Sequence, residues 1–410
     1  MLTTQQKQQF SEILNELGKS LDISETEFNA AVASYNAVGN WLSSENSALA
    51  PYKPEILPQG SFLLGTAIKP ISEKDDIDID IVCKLTGKNP IWTQAHLKKI
   101  VGDRLKENET YKQMLDKEGR RCWTLEYRKY SQKNDQYHMD VLPAIIASGY
   151  SILLEKAFTN MHDSNVDALA IRITDNLEPN YPSETNQENW LKSNPFGYAK
   201  WFINQATISA EKMFSLNEAV KPVPKYQSNK LPLQRVVQIL KRHRDIMFDG
   251  DDEKPISIII TTLAARAYKK QTDILEALLD VIENMHDFIL DKQDEKTGEW
   301  YKFIENPVNK VENFADKWRE NPRKQKKFYD WLTAVKKDIQ ETTQLTGSHN
   351  IMTRLSESFG EKEVKKAFNN IGDRARLLTE NGNNRFDTKL GVMTGAANVI
   401  KPHNFYGEEE

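Results

Sequence analysis

The chain has 410 residues, 39% of them hydrophobic and 28% charged, with a formal net charge of −4 at pH 7. That length can bury a substantial core and predicts two lobes, and the composition is that of an ordinary folded protein, not a disordered or fibrous one. The acidic balance argues against a strongly basic nucleic-acid binder, though not against a local patch, and no apolar run approaches the length of a membrane span.

The first sixty residues read as helical. Phe10, Ile13, Leu14, Leu17 and Leu21 fall at helical spacing. Ser24 with Glu27 makes a capping box for a second helix with an apolar face of Phe28, Val32, Tyr35, Val38 and Trp41. The start of the chain lacks the charged and apolar zones of a signal peptide. Around Pro51, Pro54 and Pro58 the chain becomes extended, and a Gly-Ser turn follows at Gly60-Ser61. A strand is expected from about Asp76 to Leu85, a helix from Trp92 to Leu115, and strands over Cys122–Tyr130 and Tyr137–Ile145. Ser131–Asp135 reads as the hairpin loop between those two strands. Cys83 and Cys122 sit in these strand patterns as free buried thiols, which suits a reducing cytoplasm.

From Asn176 to Pro195 the composition is that of a surface loop or flap. A helix is expected over Phe196–Leu216, and the proline-bearing connector near Pro222 and Pro224 marks the lobe boundary, dividing 1–220 from 221–410. Beyond it nearly everything is expected to be helical: Leu233–Phe248, Ser257–Lys270, Ile274–Leu290, Val311–Trp318, Gln325–Gln340 and Glu361–Phe368. The Gly- and Asn-rich tail from Asn381 is expected to be poorly ordered.

Chemistry concentrates at Asp76, Asp78 and Asp80, which alternate with Ile77, Ile79 and Ile81. On a strand the isoleucines enter a core while the carboxylates share the opposite face, where like charges repel. A divalent cation resolves that conflict, since Mg²⁺ takes hard oxygen ligands. The upstream Gly60-Ser61 turn can offer N–H groups and a hydroxyl to a phosphate. A third carboxylate for two-metal chemistry is expected on a neighbouring strand, and Asp140, set among apolar residues in His138–Ala144, is the best candidate.

Gly60-Ser61, a spacer, Asp78-Ile79-Asp80 and a distant strand aspartate resemble the DNA polymerase β-type nucleotidyltransferase superfamily. Within it, Gln59–Thr66 with Asp78–Leu85 is similar to the bacterial cyclic-oligonucleotide synthases related to cyclic GMP–AMP synthase (the CD-NTases, with a SMODS domain), and Met139–Ala144 to a strand of oligoadenylate synthetases. Leu233–Asp245 with Pro255–Tyr268, and Asn306-Pro307 with Glu312–Trp318, extend the likeness over roughly residues 50–335. The resemblance implies an α+β, two-lobed polymerase β-like fold. Its catalytic lobe would be a mixed β-sheet with N-terminal helices, its other lobe helical, and the active site would lie in the cleft between them.

The resemblance further implies a metal-dependent nucleotidyltransferase that joins nucleoside triphosphates into a cyclic di- or trinucleotide second messenger, releasing pyrophosphate. It favours Asp78 and Asp80 over Asp76 and Asp78 as the paired ligands, because Ile81-Val82-Cys83 follows directly. Catalysis and metal binding then fall to Asp78, Asp80 and Asp140, holding two Mg²⁺ ions for which Mn²⁺ can substitute. Nucleotide binding falls to Gln59, Gly60, Ser61, Lys241 and Ser257. Lys241 has a solvated basic helix face as its plainer reading, and Ser257 a cap. His138, on the face of Asp140, reads as a supporting or solvent residue. ATP, GTP, UTP or CTP would be substrates, with a downstream effector for the product, a regulatory protein partner, no membrane, and a setting in bacterial antiphage signalling. Two other readings stay open: transfer to a tRNA, protein or small-molecule acceptor, and a catalytically silent nucleic-acid-binding module.

Overall fold

The computed structural model describes residues 2–71, 76–127, 137–146, 150–159, 166–208 and 226–381, with 384–387, 391–394 and 398–399 beyond. The chain opens with α1 (Thr4–Ser20) and α2 (Glu25–Ser43). The capping box is formed: Glu27 N donates to Ser24 Oγ at 3.1 Å, and Ser24 N donates to the Glu27 carboxylate at 2.6 Å. Every residue of the expected α1 stripe is buried, as are Phe28, Val32, Tyr35 and Val38 of α2.

The central sheet is mixed. β1 (Glu55–Pro58) runs antiparallel to β2 (Ile77–Thr86), which pairs in parallel with β4 (Tyr137–Ile146). β3 (Trp123–Glu126) and β5 (Ile171–Ile173) both pair antiparallel with β4, β3 along its first half and β5 near its end, and β6 (Lys192–Ser193) extends β5. Between β1 and β2 lies the short helix α3 (Gly60–Leu64). A parallel pair needs a long crossover. It is supplied by α4 (Gln94–Lys106) and α5 (Glu109–Met114) together with β3. The single helix expected over 92–115 is therefore two, because Asn108 Oδ1 accepts from Thr110 N and Tyr111 N and starts a new helix.

The two sheet faces differ. Ile77, Ile79, Ile81, Cys83 and Leu85 join Met139, Val141 and Ile145 in a core with α2 and α4. On the opposite face Val82, Leu142 and Ala144 enter a second core, shared with α1 and the later helices. The aspartates sit on this second face where its apolar cover has not yet begun.

Helix α6 (Tyr150–Thr159) follows β4, and α7 (Pro195–Ala206) is shorter than the expected 196–216. The expected lobe boundary and the 131–135 loop lie outside the described residues. Next come α8 (Pro232–Phe248), α9 (Ser257–Ala267) and α10 (Ile274–Asn284). The near-continuous helicity expected here is interrupted by two hairpins: β7 (Leu290–Gln293) with β8 (Trp300–Phe303), and β9 (Glu305–Asn306) with β10 (Asn309–Asn313). Of the helix expected over Val311–Trp318, Val311–Asn313 is therefore strand and only Asp316–Trp318 is helical. Asn313 holds the chain extended by accepting from Ile304 N at 2.8 Å and donating to Lys302 O at 3.0 Å. Helices α11 (Asp316–Glu320), α12 (Pro322–Gln344), α13 (Ser348–Phe359) and α14 (Glu361–Glu380) complete the bundle, with α14 longer than expected and α13 unforeseen. Three short strands, β11 (Asn384–Asp387), β12 (Gly391–Thr394) and β13 (Asn398–Val399), pair in the tail.

Asp338 ties α12 to its neighbours, accepting from His243 Nε2 at 3.0 Å, Ser358 Oγ at 2.6 Å and Arg354 Nη2 at 2.6 Å. The His243 hydrogen bond, opposed by burial and aided by Ser358 and Arg354, holds its carboxyl down at about 2. A depressed carboxyl stabilises the fold above its unfolded pKa near 4 and loses that contribution as pH falls toward 2. Asp338→Asn should therefore cost on the order of 2 kcal/mol at pH 7. Urea unfolding at pH 7 and pH 2.5 should show the gap between variant and wild type closing at the lower pH.

Candidate active site

The register of β2 on β4 builds the site. Asp80 lies directly opposite Asp140, and Asp78 opposite His138. Opposed residues of a parallel pair share a face. Burial of Ile79, Ile81, Met139 and Val141 on the far side fixes which face that is. The turn into α3 closes on the same spot, with Gln59 N donating to Asp80 O at 2.8 Å. Gly60 has φ +57°, and a Cβ there would lie 2.2 Å from Asp80 Oδ2. Only glycine lets this backbone approach the carboxylate so closely.

The carboxylates are electrostatically distinct. Asp80 is pushed up to about 6, first by burial and then by Asp140 and Asp78. Burial raises Asp78 too, but the His138 hydrogen bond and charge, with Lys241 and Lys254, outweigh it and leave that carboxyl below its ordinary value. His138 Nε2 stands 2.8 Å from Asp78 Oδ1, and this bond, against burial, raises the imidazole to about 9. Thr124, opposite Asp140 on β3, donates its hydroxyl to Asp140 Oδ1 at 2.5 Å.

A cavity of about 670 Å³ is lined by Ser61, Asp76, Asp78, Lys241, Arg244, Lys254 and Ser257. A smaller one of about 270 Å³ is lined by Gln59, Gly60, Asp80, Tyr198, Asn306 and Phe314. The structure thus places the expected residues on two cavities, except Asp140, which lines neither but lies opposite Asp80 of the smaller one. Lys241 is buried, not on a solvated face, and donates to Thr66 O at 3.1 Å. Burial first, then Arg244, lowers it to about 8. Ser257 opens α9 without capping it; its hydroxyl accepts from Arg244 Nη1 at 2.9 Å.

The donor set fits a hard divalent cation: carboxylates from two adjacent strands, one of them driven up by burial and then by its like-charged neighbours. Among the described residues no group of three or more His, Cys, Asp or Glu stands at metal-holding distance. Asp78 is engaged by His138 and Asp140 by Thr124, so the protonated imidazole supplies positive charge beside the acids.

Sequence reasoning missed Thr124, Arg244 and Lys254. Arg244 was within reach, being three residues from Lys241 on one helix face. Thr124 needed the β3–β4 register, and Lys254 needed the packing of the loop before α9.

Residues 54–143, which carry the turn and all three aspartates, match the family model for the DncV-like cyclic GMP–AMP synthase nucleotidyltransferase domain. The chain is 30% identical over 421 aligned residues to a c-di-GMP synthase of Roseivirga ehrenbergii, covering the whole of both chains. CdnG of Bradyrhizobium diazoefficiens, solved with GTP, superposes with a TM-score of 0.63 at 18% identity, over 89% of this chain and 99% of that one. CdnC of E. coli MS115-1, solved with ATP, does so with a TM-score of 0.56 at 13% identity, over 85% and 96%. Those likenesses show the fold, a mixed α/β, two-lobed polymerase β-like architecture. Among the described residues no helix is long and apolar enough to cross a membrane. With the site's geometry and a full-length relative agreeing, the chain belongs to the DncV-like nucleotidyltransferases of bacteria, the CD-NTases.

Proposed function

We propose that this chain joins nucleoside triphosphates, GTP among them, into a cyclic dinucleotide with release of pyrophosphate, using Asp78, Asp80 and Asp140. The observation that carries the reading is the opposition of Asp80 and Asp140 across β2 and β4, with Gly60 pressed against Asp80. Three acids on one sheet face are costly unless a cation joins them. The name of the full-length Roseivirga relative and the GTP complex of CdnG favour guanine nucleotides. The solved complex of CdnC with a HORMA protein favours a protein regulator here also. An effector for the product and an antiphage setting complete the proposal on family grounds.

In this reading Ser61 and the amides of the turn bind the outer phosphates, and Lys241, Arg244 and Lys254, which line the same 670 Å³ cavity, neutralise them. Asp78, Asp80 and Asp140 would hold two Mg²⁺ ions, which when bound offset charge at the reacting phosphate and lower the pKa of the attacking hydroxyl. Thr124 orients Asp140, and His138 holds Asp78 until it is needed. A ribose hydroxyl gives up its proton to a carboxylate, Asp140 in this reading, and attacks the α-phosphorus in line as pyrophosphate leaves; a second round on the linear intermediate closes the ring and releases a second pyrophosphate.

Mass spectrometry after incubation with the four ribonucleoside triphosphates and Mg²⁺ tests the function. A cyclic dinucleotide is expected without any added acceptor; no condensation under any activating condition, or transfer only to an added acceptor, would exclude it. Asp76 precedes β2 at the cavity rim. Asp76→Asn should lower pyrophosphate release by roughly tenfold or less, as for an outer partner of a metal site. A loss equal to that of Asp80→Asn would mean the ligand pair is Asp76 and Asp78.

A further inference from the structure

The 270 Å³ cavity beside Asp80 holds a second carboxylate, which the chemistry above leaves unused. Glu312 lines it together with Gly60 and Asp80. Glu312 is exposed, and among the described residues its carboxylate meets only two neutral groups, the amides of Asn306 at 2.7 Å and Asn309 at 3.4 Å. Both donate to Oε2, which leaves Oε1 open. An acid without a counter-charge next to a triphosphate site opposes an anionic ligand unless it meets hydrogen-bond donors on that ligand.

The local backbone sets this side chain apart. Asn309 pairs with Asn306 and Asn313 with Glu305, so Lys310, Val311 and Glu312 stand between paired positions whose partners are consecutive on β9. A bulge of this kind re-aims a side chain, commonly beside an active site. Asn306 is buried, and its Oδ1 accepts from Val308 N at 3.0 Å, so the amide that grips Glu312 is itself fixed.

Much of the remaining wall is apolar. Leu63, Pro195 and Ile258 contribute, with the rings of Tyr198 and Phe314 edge to face at 6.2 Å. The Tyr198 hydroxyl is spent on Thr262 Oγ1 at 2.8 Å, so that residue offers the cavity its ring and not a polar group. Apolar and aromatic walls with one open carboxylate suit a flat base whose edge carries donors.

We propose that Glu312 selects guanine, its carboxylate accepting from N1–H and the 2-amino group of the base of a nucleotide held at Asp80. Two adjacent donors meet a carboxylate in bidentate fashion. Adenine turns the lone pair of its N1 toward the same oxygens, and uracil offers one N–H between two carbonyls. The assignment rests on the nucleotidyl transfer proposed above and adds the residue that chooses the base.

Steady-state pyrophosphate release with GTP, inosine triphosphate and ATP, each alone with Mg²⁺, tests the assignment. Inosine triphosphate keeps N1–H and lacks the 2-amino group. In wild type kcat/KM should be highest for GTP and lower by roughly tenfold or more for inosine triphosphate and again for ATP, as for lost hydrogen bonds to a charged acceptor. That comparison needs no variant. Glu312→Gln keeps an acceptor for Asn306, so its melting temperature should stay at the wild-type value. Its kcat/KM for GTP should fall roughly tenfold or more while that for ATP holds or rises, and the gap between GTP and inosine triphosphate should close. A wild type without preference for GTP, or a GTP-to-ATP ratio unchanged in the variant, would overturn the role of Glu312 and leave the transferase reading standing. Equal losses for all three nucleotides with a lowered melting temperature would do the same, showing that Glu312 only holds the hairpin. No release from any nucleotide by wild type under any activating condition would instead remove the transferase reading itself.

Discussion

Asp80→Asn, and separately Asp140→Asn, should reduce pyrophosphate release on the order of 10³-fold or more, because metal-borne charge stabilisation supplies several kcal/mol of such a barrier. The two carboxylates face each other across β2 and β4, so either loss dismantles the same ligand set. Stability should move the other way for Asp80. Its folded pKa of about 6 lies above the ordinary aspartate value. At pH 7 in EDTA its ionisation therefore works against folding, by an amount on the order of 2 kcal/mol. The neutral amide of Asp80→Asn removes that opposition, so the metal-free variant should melt no lower than wild type, with the advantage fading as pH falls from 6 toward 4. A loss of activity caused by misfolding would lower the melting temperature instead. Wild-type turnover in either variant would overturn the site assignment.

Gly60→Ala should be nearly as damaging, for a steric reason. The new Cβ would lie 2.2 Å from Asp80 Oδ2 and 3.1 Å from its Cγ, and the residue would hold φ +57°. The left-handed conformation alone costs about 1–2 kcal/mol for an alanine. Relief of the clash must move either the turn or the carboxylate, and a displacement of about 1 Å at a reacting group costs roughly 10²-fold in rate. Gly65→Ala is the matched control. Gly65 has φ +67° and a Cβ there would meet Gln234 Nε2 at 2.5 Å, away from the acids. It should lose comparable stability while keeping most of its turnover. Equal losses of kcat in the two variants would show that Gly60 acts through stability and not through Asp80.

The sheet that carries the acids was legible because two periods of different origin coincide. Isoleucines alternate with aspartates in β2, and the same alternation brackets Asp140 in β4, so burial of one face dictates exposure of the other. Helices were read well where spacing and caps agreed, as at Thr4–Ser20 and at Ser24–Glu27. Reading failed where side chains substitute for backbone partners. Asn108 divides one helix into two, and Asn313 keeps β10 extended across a stretch that local composition favours as helix. In the site, Asp78, Asp80, Asp140 and the Gly60-Ser61 turn could be named from their pattern. Thr124 could not, since it gains meaning only when β3 pairs with β4 and sets it opposite Asp140. His138 was placed on the right face, but its bond to Asp78 depends on a cross-strand register that no single strand records.

Mn²⁺ soaked into crystals with a non-hydrolysable GTP analogue, and located by anomalous scattering, reads the ligand set directly. Anomalous peaks should appear within coordination distance of Asp78, Asp80 and Asp140, with the triphosphate running past Ser61 toward Lys241. Manganese bound without Asp140, or a nucleotide seated elsewhere, would contradict the assignment.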